Sequence, residues 1–428
     1  MKTGTITAIS HEGRGIIKTM GEKTTFVDFA LRGEEITYDV YAQRSKFDEA
    51  KAVSILQPSN KRVVPPCPYF GTCGGCSLQH MSHSEQIRLK QDTLLQHLQH
   101  YANLTPENIL EPLLGPIWHY RHKAQFSVHY QPETKKAILG FKQTNTHDIV
   151  DIKACLILPP HINSADLCTL INRLSIADAV QALDVAIGDE ETALILHHTK
   201  PLTESDITKI KNFSQKNSFQ FYTVWKTKPK VFVKLHPQDD NTFLSYTIDD
   251  VALQFHPADF IQINPDINRK MVAQALNFLD LKPTDHVLDL YCGIGNFSLP
   301  IAKKVASVTG IEGLDDMVKR AAHNALLNKI TNVQFFKADL QKNSNNPWTT
   351  QKYDKLVIDP PRTGAHMAMV LKMNIPHIVY ISCDAATLAR DAAVLAKQGY
   401  RLTHAGIIDM FPHTKHVESM AVFRHALS

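Results

Sequence analysis

Hydrophobic positions change their spacing along this chain, and each change predicts a different architecture. Over residues 1–58, apolar and polar positions alternate in Gly4–Ile9, Thr24–Phe29 and Glu35–Tyr41, with glycines at 13, 15, 21 and 33 between them. That period belongs to short strands with one buried face. Roughly five such strands in so short a stretch predict a small barrel of the OB type. Lys61-Arg62 and then Pro65-Pro66 break the pattern and form a linker.

The spacing then turns helical. Ile87, Leu94, Leu95 and Leu98 predict one apolar face on a helix from Ser84 to His100. From 118 to 255 the chain is strand-rich and irregular, with strands expected in Ala124–Tyr130, Ala193–His197 and Thr223–Leu235. After Pro257 apolar runs alternate with helical segments. Strands are expected at 286–291, 306–312, 332–337, 354–358, 377–382, 402–408 and 417–424. Such alternation predicts a mostly parallel, doubly wound sheet. The fold class is multidomain α/β, with units at 1–58, 59–257 and 258–428.

Composition changes this picture little. A hydrophobic share of 43% and a charged share of 21% suit a folded protein too long for one core. MKTGTITAIS lacks the apolar centre of a signal peptide, so a cytoplasmic protein is expected. There, seven cysteines serve as ligands, nucleophiles or core residues rather than disulfides. A net charge of +4 suits an RNA partner without arguing for one.

The candidate chemistry gathers at strand ends. His286-Val-Leu-Asp-Leu-Tyr-Cys-Gly-Ile-Gly-Asn-Phe-Ser298 reads as a buried strand, a glycine turn and a helix. Gly293 and Gly295 allow close approach to a ligand, and Glu312, ending the next strand, can accept hydrogen bonds from ribose hydroxyls. Dinucleotide and S-adenosylmethionine sites share this pattern; Ser298, in place of a third glycine, favours the second. Asp339 closes the third strand, where it can meet an adenine amino group or cap a helix, and Tyr291 and Asn296 flank the turn.

Asp359-Pro-Pro-Arg362 stiffens the chain beyond another strand's carboxyl end, where open α/β sheets bind ligands. Cys383 ends the strand Ile378-Val-Tyr-Ile-Ser-Cys383 and precedes a helix, whose dipole is expected to favour its thiolate. Cys292 lies near the turn without an evident base, and Cys168 reads as core. Glu418 opens the last strand, where it can return toward the same crevice. Cys67, Cys73, Cys76 and Cys155 can hold a [4Fe–4S] cluster or zinc. His413 and His416 read as surface or pocket residues. Trp118–Lys123 and Phe221–Lys230 mix aromatics with basic residues, as single-strand RNA binders do and as solvated strands also can. Phe260 can stack on RNA or pack on the glycine turn.

Taken together, Phe260-Ile-Gln-Ile-Asn264, Asp289-Leu-Tyr-Cys-Gly-Ile-Gly-Asn-Phe297, Asp359-Pro-Pro-Arg362, Ser382-Cys383 with Thr387-Leu-Ala-Arg-Asp391, and His416-Val-Glu-Ser-Met420 resemble the uracil-5 RNA methyltransferases. The resemblance implies a C-terminal Rossmann-like class I methyltransferase domain that uses S-adenosylmethionine. It implies Cys383 as nucleophile, Glu418 as base, and Gln262, Tyr291, Asn296, Glu312, Asp339 and Asp359 as contacts to cofactor or target base. Cys67-x5-Cys73-x2-Cys76 with Cys155 looks like the [4Fe–4S] ligands of the ribosomal RNA branch, and residues 1–58 look like its TRAM domain. The implied partner is 23S rRNA, presenting a single-stranded or flipped-out uridine. The same reaction on another rRNA uridine or on transfer RNA, or a catalytically silent RNA-binding protein, are the other readings. Asp384-Ala385 stands where the family usually has Asn-Pro, and Asp384 is expected to cap the following helix.

Overall fold

A computed structural model describes residues 1–144, 146–225, 231–239, 241–340 and 346–425. At the N-terminus, Lys2–Thr5, Ala8–Ile9, Gly15–Ile17, Thr24–Asp28, Glu35–Gln43 and Phe47–Gln57 form one sheet of six strands. Inward-facing Ile6, Val27, Ile36 and Ala50 fill its small core. The linker is anchored to it by charge. The Arg62 guanidinium donates to both oxygens of fully buried Glu34, at 2.5 and 2.7 Å, a two-pronged geometry that lysine cannot reproduce.

A second sheet has seven strands, Ile149–Asp151, Lys136–Lys142, Lys123–Gln131, Val180–Ile187, Thr192–His198, Phe219–Trp225 and Phe232–His236 in spatial order. Only the Thr192–His198 and Phe219–Trp225 pair is parallel, joined by the crossover helix Glu204–Asn217. The single strand expected over Thr223–Leu235 is therefore two strands, and the Lys226–Lys230 part of that basic candidate lies outside the described residues. Cys168 is buried core on the helix Ser164–Arg173, as its position suggested.

The third sheet follows the expected strand–helix alternation. Its order is Val333–Lys337, Ser307–Glu312, His286–Leu290, Lys355–Ile358, His377–Ser382, Glu418–His425, Tyr400–Ile408. The first five are parallel, and Glu418–His425 runs antiparallel between its two neighbours. The central strands are buried on both faces, which is why they read as unbroken apolar runs rather than alternating ones. An eighth strand, Asn108–Ile109, comes from far upstream and extends the edge beyond Tyr400–Ile408. One apolar core joins this sheet to the central one: Tyr222 and Val224 share it with Phe255, Met271 and Val379.

The upstream helix spans His83–His97 and continues as a π turn, Leu98–Ala102. Its buried face differs from the expected one. Leu94 and Leu98 are inside, but Ile87 and Leu95 are only partly covered, and Gln86 and Lys90 are buried instead. Both polar side chains bond a strap of the catalytic sheet near His413, so a purely apolar pattern misread the helix's rotation.

Candidate active site

Backbone topology decides which side chains meet. The parallel strands all end at one edge, which collects Tyr291, Glu312, Asp359 and Cys383 at or just beyond their last residues. Because Glu418–His425 is antiparallel, its first residue lies at that same edge. Ser382 pairs with Ser419, so one step further along this register sets Cys383 opposite Glu418. Cross-strand partners point to the same face.

The glycine turn is built for close approach. Tyr291, Gly293 and Gly295 all have positive φ, at 65°, 55° and 96°, a region open to glycine and strained for tyrosine. Glu312 braces the turn: one carboxylate oxygen accepts from the Gly293 N–H at 3.2 Å, the other from the Leu314 N–H at 2.9 Å. Asp339 is exposed, one residue after Ala338, whose N–H bonds the Glu312 carbonyl. Asn296 spends its amide elsewhere. It exchanges two 2.9 Å hydrogen bonds with Asn268 and accepts a third from the Tyr246 hydroxyl, tying the turn to the helix Pro265–Leu279. Gln262 donates to Asp359 at 3.3 Å.

Electrostatics correct one expectation. The Cys383 thiol is pushed up to about 11, first by burial and then by the Glu418 and Asp359 carboxylates, with Arg362 opposing. The helix dipole does not win, because desolvation and two nearby acids outweigh partial charges at one helix end. Asp384 does cap that helix, accepting from the Thr387 N–H at 2.8 Å. Burial and Asp359 hold Glu418 well above the usual carboxylate range; it is 3% exposed. Burial raises Asp359 to about 6 against the Gln262 hydrogen bond. Asp289, absent from the sequence candidates, sits mid-strand with Ser298 donating to it, and burial raises it to about 7. This acidic crevice suits a cationic ligand.

A cavity of about 1090 Å³ opens on the His416 side of this edge. Cys67, Cys73, Cys76 and Cys155 all line it, as do Arg14, Lys142 and Arg121. Burial raises the Cys76 thiol to about 12, and Cys155, Cys73 and Cys67 push the same way. Among the described residues, no three His, Cys, Asp or Glu side chains converge as ligands of a single ion. His413 is buried rather than a surface residue, and its ring stacks on Trp118 at 3.9 Å. Tyr120 is buried too, so the aromatics of Trp118–Lys123 hold the fold together instead of forming a solvated strand face. Phe260 is 70% exposed and so does not pack on the turn.

A sequence model of the family described as tRNA (uracil-5-)-methyltransferase matches residues 82–426. The chain belongs to this family. Relatives named 23S rRNA (uracil(1939)-C(5))-methyltransferase RlmD are 43% identical in Francisella tularensis subsp. novicida and 42% in Hahella chejuensis. Each match covers 98% of this chain, and 95% and 96% of those proteins. The tRNA (uracil-54, C5)-methyltransferase of Pyrococcus abyssi, solved with S-adenosyl-L-homocysteine, shares the fold at a TM-score of 0.75 and 21% identity. That match covers 99% of this chain and 100% of the other. The mixed α/β methyltransferase fold is thereby established, and the protein is a uracil-5 methyltransferase.

Proposed function

We propose that this protein transfers a methyl group from S-adenosylmethionine to C5 of the 23S rRNA uridine corresponding to position 1939, for which its relatives are named. Identity of 43% and 42% to those relatives, against 21% to the transfer RNA enzyme, supports the ribosomal substrate over transfer RNA. For the chemistry, the observation that carries the reading is the antiparallel register that sets Cys383 opposite Glu418. Uracil C5 is too weak a nucleophile to react unaided. The Cys383 thiol gives its proton to solvent and adds to C6 as the thiolate, and the electron pair displaced from the C5–C6 bond makes C5 nucleophilic. S-adenosylmethionine, when bound, supplies a methyl group activated by its positive sulfur. After transfer, Glu418 takes the C5 proton, the C5–C6 double bond re-forms and the C6–sulfur bond breaks. Gln262, Tyr291, Glu312, Asp339 and Asp359 are the proposed contacts to cofactor or base, with Asn296 among them through its hold on the turn. The target uridine must be single-stranded or flipped out to enter this crevice.

The four cavity cysteines fit a [4Fe–4S] cluster. They are thiols lining one cavity, close enough that Cys155, Cys73 and Cys67 all act on the Cys76 thiol. A cluster takes one thiolate on each of four irons, so its ligands need not crowd round one point. Its role is to staple the 67–76 loop to Cys155. Residues 1–58 are proposed as a TRAM-like RNA-binding barrel, 59–257 as the cluster-bearing region and 258–428 as the methyltransferase domain. A cytoplasmic location follows from the proposed substrate. Among the described residues, no helix is long and apolar enough to cross a membrane.

The test uses 23S rRNA fragments, tRNA as control, and cofactor labelled in its methyl group. Cys383→Ala should abolish both product and covalent adduct. Glu418→Gln should still methylate but stall, accumulating a denaturation-resistant, labelled protein–RNA adduct. Methylation of tRNA alone would overturn the substrate, and an adduct formed by Cys383→Ala would overturn the nucleophile.

A further inference from the structure

The chain crosses from the strand Tyr400–Ile408 to Glu418 through a short strap, and the strap is held from outside the catalytic sheet. Asp409 pairs with buried Lys90 at 2.6 Å and with His83 at 2.8 Å. Lys90 also donates to the Phe411 carbonyl at 2.9 Å, and the Tyr120 hydroxyl to the Pro412 carbonyl at 3.0 Å.

The contacts are densest at His413. Its N–H donates to the Gln86 side-chain oxygen at 2.9 Å, and the Gln86 amide nitrogen lies 3.3 Å from its Nδ1. Its carbonyl accepts from the Ser77 and Leu78 N–H groups at 2.9 and 3.0 Å, immediately past Cys76. Ser77 Oγ accepts from the Lys415 N–H at 3.1 Å. His413 itself has φ of 66°, a left-handed conformation that a non-glycine residue keeps only when its surroundings impose it. These contacts come from the cysteine loop, the upstream helix and the Trp118 segment, three pieces remote in sequence from the strand they hold.

We propose that His413 is a positioning residue for Glu418: the Gln86, Trp118 and Ser77–Leu78 contacts hold the strap so that the carboxylate stands at C5 once the methyl group has arrived. The inference rests on Glu418 being the base. It assigns the upstream helix and the cysteine loop a part in product release. Cys383 follows a different strand and precedes a different helix, so displacing the strap should slow adduct breakdown without slowing attack.

Two variants test this in the full-length protein, Gln86→Ala and Trp118→Ala, with Trp118→Phe as the conservative control that keeps an aromatic face against His413. Misplacement by about an ångström slows a step by roughly 10²-fold. Both alanine variants should accumulate the methyl-labelled adduct because its breakdown slows by that order. Adduct formation should be no slower than in wild type, cofactor affinity should stay near wild type, and Trp118→Phe should restore most of the breakdown rate. Wild-type breakdown in both alanine variants would overturn the proposal. So would equal loss of cofactor binding, attack and breakdown, which marks general damage. Glu418→Gln run alongside separates the two readings. No adduct there removes the base assignment and this inference with it; an adduct there but not in the strap variants refutes the positioning role alone.

Discussion

The state of the Cys383 thiol before substrate arrives is the most direct test of the electrostatics. Burial, Glu418 and Asp359 push it up to about 11, against about 8.5 for an ordinary cysteine. At about pH 8 this lowers the thiolate fraction roughly 200-fold. A more basic thiolate is also more nucleophilic, and a Brønsted slope of about 0.4–0.5 returns roughly tenfold. Alkylation by iodoacetamide should therefore run about 20-fold slower than at an exposed cysteine of ordinary basicity. Limited access slows the reaction further without moving its pH midpoint, so the midpoint is the decisive quantity. Quantitative mass spectrometry of the peptide containing Cys383, sampled across alkaline pH, should show a midpoint at about 11. Glu418→Gln removes the next cause after burial and should lower the midpoint. Saturation with S-adenosylmethionine brings a positive charge to the acidic crevice and should lower it too. A free-protein midpoint at or below that of ordinary cysteine would refute the reasoning and restore the helix dipole as the dominant influence. A midpoint unmoved by Glu418→Gln would refute the coupling of the two groups.

Phe260→Ala should weaken RNA binding by about 1–3 kcal/mol and leave the unfolding midpoint unchanged, because the ring is largely exposed; undiminished affinity in a filter-binding titration would exclude stacking. Anaerobically purified protein should be brown and contain iron with acid-labile sulfide, whereas stoichiometric zinc without iron would sink the cluster. Chelating the metal should loosen the region tied by Cys155, read as faster proteolysis near the 67–76 loop. Lys90→Met leaves buried Asp409 with His83 as its remaining ion-pair partner and should destabilise by about 3–5 kcal/mol. Lys90→Met combined with Asp409→Leu should recover much of that in urea unfolding; a single variant as harmless as the double would show that the pair carries little.

What the sequence determined by itself was local. Apolar runs of strand length alternating with helices announced the doubly wound sheet, and the seven expected strands of that sheet agree with the observed ones to within about two residues, the usual scatter of element ends. Gly293 and Gly295 marked a turn that needs positive φ, and Asp384 was legible as a cap because the first N–H groups of a helix have no partners within it. Pairing order was decided elsewhere. That Glu418 faces Cys383 depends on the last strand inserting antiparallel between its neighbours, and a hydrophobic pattern carries no record of strand order. The thiol's protonation was misjudged for a related reason. A helix terminus is visible in sequence, but burial and the approach of Glu418 and Asp359 exist only once distant segments have packed. The same holds for Lys90 and Gln86, polar residues outside the predicted apolar set, which lie buried because Asp409 and His413, more than three hundred residues away, supply their partners. Local propensity follows from neighbours in the chain; charge, burial and register follow from neighbours in space.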